Sequence, residues 1–400
     1  MSRKRIAIIG TSFAGYTGAI ELHGLLGSEH DIVVVAKSHD FVFIPSLIWY
    51  PFGLRDQKDI SFDVRPIYAE RGIEFVEAAA TGFDLDKRQV LTDTAGPIDY
   101  DYLLVATGPK IDFDSVPGLG PEKNSLSICT IDHADQTRRA WERFLSDPGP
   151  VVVGAAQGAA CFGAAYEFLF NLRYQLKKHH LLEKSPVTYV TAEPFLGHFG
   201  IGGLGNGRQM SGFFFKTYGI ASRTSATIKE VQPDGVLLES GEKLPSKFTM
   251  IIPRFLGVDA VRNTPGLGNA NGFIEVNDGY QHLTRPEIYA AGVAVFVAPV
   301  GGTPVPCGVP KTGYPSEVMA KTAAANIASD IRGETEHRSM PFSLIHAYCI
   351  MDTGDMGMMI VGDHMLEPRH LQFIIPGPQA HWAKLAFEKY FLATRGHGKV

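Results

Sequence analysis

Arg5-Ile-Ala-Ile-Ile-Gly-Thr-Ser-Phe-Ala-Gly15 reads as a short apolar strand, a glycine turn and the first residues of a helix. The strand is Ile6-Ala-Ile-Ile9, the turn Gly10-Thr-Ser-Phe-Ala-Gly15, and the helix runs to about Leu26. Asp31-Ile-Val-Val-Val-Ala36 follows as a second buried strand. A strand–turn–helix–strand unit with glycines in its turn sets a helix N-terminus where a dinucleotide pyrophosphate would lie. Two departures mark this copy. Ser12 stands where the fingerprint has its second glycine, which brings a hydroxyl towards the phosphate. Ala36-Lys37 replaces the acidic residue expected to hold a ribose.

Similar signals recur along the chain. Asp101-Tyr-Leu-Leu-Val-Ala-Thr-Gly-Pro109 is a buried strand ending in a glycine turn, and Pro286-Glu-Ile-Tyr-Ala-Ala-Gly292 repeats the pattern much later. Between them lies a further unit: Pro150-Val-Val-Val-Gly154, the turn Ala-Ala-Gln-Gly158, a helix from about Ala160 to Lys178, and the strand Val187-Thr-Tyr-Val-Thr-Ala-Glu193. The pattern predicts an α/β protein of two nested Rossmann-like (FAD/NAD-type) domains plus a C-terminal α/β segment. Residues 1–112 with 268–325 form the first domain, 113–267 the second, and 326–400 the last segment.

Composition narrows the function classes. Of 400 residues 45% are hydrophobic and 20% charged, which excludes a disordered chain. The balance of 37 basic against 42 acidic residues, net −5, argues against a nucleic-acid partner. No apolar run reaches the roughly 18 residues of a membrane span. The chain enters a strand almost at once, so no signal peptide is expected, and the protein is placed in the cytoplasm or peripherally on the cell membrane. Four scattered cysteines, Cys129, Cys161, Cys307 and Cys349, cannot make a disulfide scaffold, and none has zinc spacing, so no metal is expected.

The chain resembles the two-dinucleotide-domain flavoproteins, and within them the sulfide:quinone oxidoreductase family. The resemblance spans nearly the whole chain and rests on ordered stretches: Ser127-Ile-Cys-Thr-Ile-Asp-His133, Gly158-Ala-Ala-Cys-Phe-Gly-Ala-Ala-Tyr-Glu167 and Glu193-Pro-Phe-Leu-Gly-His198. Further on come Thr303-Pro-Val-Pro-Cys-Gly-Val-Pro-Lys-Thr-Gly313, Ala347-Tyr-Cys349 with Asp352-Thr-Gly354, and Phe387-Glu-Lys-Tyr-Phe391. It implies FAD in the first domain, oxidation of sulfide to polysulfur, and transfer of electrons to quinone. Flavocytochrome-type sulfide dehydrogenases with a soluble acceptor and type II NADH dehydrogenases share the architecture and supply the alternatives, as does a non-catalytic sulfur carrier.

For the cofactor, Gly10, Ser12, Ala14 and Gly15 would present backbone N–H groups to the pyrophosphate. Lys37 offers backbone contact or charge near phosphate, and Gly292 serves the ribityl-phosphate arm. Ala79, Thr107 and Gly108 are further flavin neighbours by resemblance, as are Thr312 and Gly313. Lys311 is placed at the flavin ring, where positive charge stabilises the reduced anion. Cys161 opens a helix, which favours its thiolate. By resemblance it pairs with Cys349 across the flavin face. Hydrosulfide attacks that bridge and leaves a persulfide on one cysteine, while the freed thiolate, assigned to Cys349, hands two electrons to the flavin. Cys129 is the third redox cysteine, nearer the entrance, and Cys307 is structural. His133 and His198 are expected to move protons, with Glu167 as a relay. Glu193 sits where it could hold the ribose of NADH, but Cys161 occupies ground that a nicotinamide would need.

The last helix is predicted from Gln379 to about Thr394. At 100° per residue Trp382, Ala383, Ala386, Phe387, Tyr390 and Phe391 share one half of the wheel, with Lys384, Glu388 and Lys389 on the other. The aromatic arc is expected to seat the quinone and dock on lipid, weakly and reversibly. The rival reading packs those rings on the flavin domain. Phe387, Lys389 and Phe391 are the quinone-side candidates, together with Ile350, which stands where an aromatic neighbour is expected. The sequence leaves a homo-oligomer open.

Overall fold

Valines and isoleucines in unbroken runs suit strands covered on both faces, and here they form a parallel sheet. The computed structural model describes residues 2–400. In spatial order this first sheet is Ile288–Ala290, Tyr102–Val105, Arg5–Ile9, Asp31–Ala36 and Glu74–Glu77. Ile6, Ile8, Val33, Val34, Leu103 and Leu104 are wholly buried in it. A late strand thus completes a sheet begun at the N-terminus, with Ile288 paired to Leu103. The helices Phe13–Leu26 and Gly313–Arg332 pack along each other, and a Cβ on Gly313 would meet the Phe13 ring at 2.7 Å.

The inserted chain builds a second parallel sheet in the order Ala221–Arg223, Val187–Thr191, Val151–Ala155 and Phe248–Ile252. Cys161 is the N-cap of the helix Phe162–Lys178 that follows its central strand. A third, antiparallel sheet comes last: Ala347–Asp352, Gly357–Gly362 and Gln372–Gly377. Gly377, at φ 144°, turns the chain into Pro378, the first residue of the helix Pro378–Arg395. That helix lies on the third sheet and ends on the first domain, where Arg395 pairs with Glu317 at 3.0 Å.

The orientation of this helix corrects the wheel. Lys384 and Glu388, expected on the half of the wheel opposite the rings, are buried, while Trp382 and Tyr390 are 67% and 66% exposed. Buried charges persist only when paired and hydrogen-bonded. Lys384 Nζ meets Glu167, and Glu388 takes Arg55 at 2.9 Å and the Ser46 hydroxyl. Phe391, expected on the quinone side, is 3% exposed in the core, with ring centroids 4.8 Å from Phe43 and 5.3 Å from Phe13. Phe387 bridges the two environments: it is 43% exposed yet lies 5.9 Å from the Phe43 ring. Lys389 is exposed and Ile350 half-buried.

Candidate active site

All five strands of the first sheet end at a residue singled out for the cofactor. Gly10 follows Arg5–Ile9, Lys37 follows Asp31–Ala36, Ala79 follows Glu74–Glu77, Thr107 and Gly108 follow Tyr102–Val105, and Gly292 follows Ile288–Ala290. Ligands of open α/β sheets bind along this carboxyl edge. Gly10 has φ 109°, and a Cβ there would lie 2.3 Å from Ala106 O. A Cβ on Gly15 would lie 2.0 Å from Gly10 O, so both positions demand glycine. Neither Ser12 nor Thr312, the N-caps of the two packed helices, caps its helix with its side chain. Each helix start keeps first-turn N–H groups that no side chain answers, and the Ser12 hydroxyl is exposed. This edge fits a dinucleotide pyrophosphate. Ala14 packs within 3.2 Å of where a Gly292 Cβ would stand, tying the first turn to the last strand.

Lys311 lies on the same side. Its ammonium donates to Val295 O at 2.5 Å and sits 4.3 Å from the centroid of the Phe273 ring. No carboxylate pairs with it among the described residues, and burial pulls it down to about 7. A buried cation without an anion is a preformed partner for negative charge.

The cysteines gather at the junction of the three sheets. Cys161 starts its helix at the carboxyl edge of the second sheet, and Cys349 stands on the first strand of the third. Cys161 is near enough to Cys129 and to Cys349 for its charge to raise each of them. All are free thiols. Burial pushes Cys129 and Cys349 up to about 12 and raises Cys161 as well. Cys349 is exposed at its surface yet crowded by protein behind it, and that crowding raises it. The expected lowering of Cys161 by its helix start is therefore overturned: the Ala164 N–H favours the thiolate, but desolvation outweighs it. Cys307 is buried, with its thiol 3.6 Å from Val305 O.

Glu167 and Lys384 form a buried ion pair next to Cys161 and Cys349. Burial raises the Glu167 carboxyl, and Lys384 and the Asp352 N–H at 2.7 Å oppose that. Asp352, wholly buried, binds Trp49 Nε1 at 2.8 Å and His381 Nδ1 at 2.5 Å. Sequence reading missed Lys384, Asp352 and His381 as site residues. An uninterrupted charge on a helix face gives no sign of burial when its partner lies two domains away in sequence. The motif Asp352-Thr-Gly354 is the one local signal the sequence offers for them.

His198 is 4% exposed, and desolvation lowers it. His133 is half-buried, also lowered, and packs edge-on to Phe113 at 5.4 Å with its Nδ1 unpartnered. Among the described residues neither ring shares a hydrogen bond with a cysteine. Glu193, considered as a ribose holder, is wholly buried, with both oxygens bonded inside the protein. Among the described residues no helix is long and apolar enough to cross a membrane.

Nested dinucleotide sheets with free thiols at their junction define a class of flavin-dependent oxidoreductase. The pyridine nucleotide-disulphide oxidoreductase family matches residues 4–306. Within that class the chain belongs to the sulfide-quinone reductase family. It is 36% identical to the sulfide-quinone reductase of Aquifex aeolicus over 99% of this chain and 92% of that protein. The crystal structure of the sulfide:quinone oxidoreductase from Aquifex aeolicus superposes with a TM-score of 0.95 over the same shares. The mitochondrial sulfide:quinone oxidoreductase of Dictyostelium discoideum is 25% identical over 72% of this chain and 64% of its own length.

Proposed function

We propose that this chain oxidises sulfide and passes the electrons to quinone, with FAD along the carboxyl edge of the first sheet and Cys161 and Cys349 as the sulfur relay. One observation carries the reading: the helix that Cys161 caps and the strand that carries Cys349 are tied together at Glu167, which accepts the Asp352 N–H at 2.7 Å and pairs with Lys384. FAD, when bound, supplies the two-electron acceptor between sulfide and quinone. Gly10, Gly15 and the two helix starts would hold its phosphates, and Lys311 would offset negative charge gathering on its ring.

In the oxidised protein Cys161 and Cys349 are bridged. Hydrosulfide attacks Cys161, an S–S bond forms there as the inter-cysteine bond breaks, and Cys349 leaves as thiolate. A thiolate in so crowded a place is unfavourable, and Lys384 offsets only part of that cost. Passing two electrons and the persulfide proton to FAD would join Cys349 to the outer sulfur of the Cys161 persulfide, so that the bridge re-forms one sulfur longer and the thiolate charge is gone. Cys129 takes the growing sulfur chain in this reading. His133, His198 and Glu167 handle the proton released from hydrosulfide.

The exposed rings of Trp382, Phe387 and Tyr390 on the last helix, with Phe373 and Ile375 exposed on the strand before it, are the side chains that would dock reversibly on lipid, where quinone is dissolved. The deciding experiment is sulfide-dependent reduction of a short-chain quinone by purified protein, compared with Cys161→Ala and Cys349→Ala. Both variants should lose turnover. Full activity in either would remove the relay.

A further inference from the structure

Glu193 is wholly buried, forms no salt bridge among the described residues, and has no part in the chemistry above. Its place after a Rossmann strand is where a ribose-binding acid would stand. Here it points inward. Oε1 accepts the Phe199 N–H at 2.7 Å, and Oε2 accepts the hydroxyls of Thr191 and Tyr166 at 2.9 Å each. The Tyr166 hydroxyl in turn accepts the Gly197 N–H at 2.9 Å. Tyr166 belongs to the helix that Cys161 caps, and its ring lies edge-on to Phe199 at 5.2 Å.

The segment so held carries His198. Phe199 has φ 55°, a conformation sparsely open to an aromatic residue and kept only where its surroundings impose it. A Cβ on Gly200 would meet Gly308 O at 2.2 Å and the Phe162 ring at 3.3 Å, so the loop lies directly on the first turn of the Cys161 helix. The His198 Nδ1 accepts the Gly200 N–H at 3.2 Å, which leaves the proton of the neutral ring on Nε2. From the opposite side Arg369, also buried, donates to Ile201 O at 3.1 Å and Gly203 O at 2.8 Å. An acceptor takes the loop's N–H groups and a cation takes its carbonyls.

We propose that Glu193 and Tyr166 clamp the His198 loop onto the Cys161 helix, which makes Glu193 a positioning residue for the sulfide half of the reaction. The clamp rests on the reading of Cys161 and His198 as site residues. Tyr166, Tyr189 and Cys307 are the titratable groups that face Glu193, and none is a cation. Burial raises the carboxyl to about 7, so near neutrality it often carries a proton while Oε1 still accepts from Phe199. Glutamine copies that state.

The test uses flavin-loaded enzyme and two readouts: amide exchange across residues 195–203 and sulfide-driven bleaching of the flavin. Glu193→Leu leaves the Phe199 N–H and the Tyr166 hydroxyl without their acceptor, and should cost about tenfold in loop protection and about tenfold in bleaching rate. Glu193→Gln should restore both to within about threefold of wild type. A folded Glu193→Leu with unchanged exchange overturns the clamp, and so does slower bleaching without faster loop exchange. Should Glu193→Leu fail to fold, Tyr166→Phe decides: it should lose protection at Gly197, and unchanged exchange there overturns the proposal. His198→Ala isolates the underlying reading. Wild-type bleaching in that variant would remove His198 from the chemistry, while the exchange data still decide whether the clamp exists.

Discussion

Lys384 and Glu167 are each nearly cut off from solvent, and an ion pair in that setting is vulnerable to the loss of one member. Lys384→Met should lower unfolding free energy by about 3–5 kcal/mol, because Glu167 is left charged and unpaired. Lys384→Met combined with Glu167→Gln should recover part of that, as the stranded charge is gone. Denaturant unfolding of the three proteins measures it, and a double variant no better than the single would refute the assignment. Lys311 makes a prediction in pH. Its folded value, pulled by burial to about 7, lies below the ordinary 10.5. Between those values the unfolded chain binds the extra proton, so stability rises with pH. Relative to Lys311→Met, the wild type should gain stability as pH climbs from about 7 towards 10.5, and be most penalised below 7. A difference that is flat across that window would show Lys311 to be solvated.

The helix Pro378–Arg395 shows where sequence reading stops at the scale of an element. Its existence and near bounds were legible from periodicity, and so was the clustering of its rings on one arc. Which arc turns inward was not, since a wheel orders residues around an axis without locating the core. Lys384 and Glu388 look like solvent residues until Glu167, Arg55 and Ser46 are brought to them by folding. The liposome test must therefore use outward rings. Trp382→Ala/Tyr390→Ala should abolish sedimentation with anionic vesicles and leave the melting temperature within a few degrees, because both rings are largely exposed. Phe391→Ala should do the opposite, costing about 3–5 kcal/mol from the core that it shares with Phe13 and Phe43. A wild type that never pellets with lipid would end the docking proposal.

On the scale of the molecule, apolar strands ending in glycine turns were readable one at a time, and their order in sequence already implied one sheet interrupted by another. The meeting of Cys161 with Cys349 was not readable from spacing, because nothing local links a helix start in the second sheet to a strand in the third; only resemblance paired them. The two sheets differ at their carboxyl edges. Along the first, the five strand ends carry the residues proposed for the dinucleotide. Along the second the equivalent ground is occupied by the protein itself. The Gly158 N–H donates to Pro306 O at 2.6 Å, the Gly308 N–H is bonded to Ala159 O at 2.8 Å, and a Cβ on Gly158 would meet Arg254 at 2.9 Å. Glu193, the residue placed to bind a ribose, is spent on Phe199, Thr191 and Tyr166. A nicotinamide dinucleotide would find the Gly158 and Gly308 N–H groups already bonded and no free acid at Glu193. Anaerobic mixing with NADH should thus leave the flavin oxidised, whereas sulfide should bleach it and added quinone restore it. Bleaching by NADH at a rate comparable with that by sulfide would mean that the second sheet opens to a nucleotide, and the reading of this protein as a sulfide oxidase would give way to that of an NADH dehydrogenase.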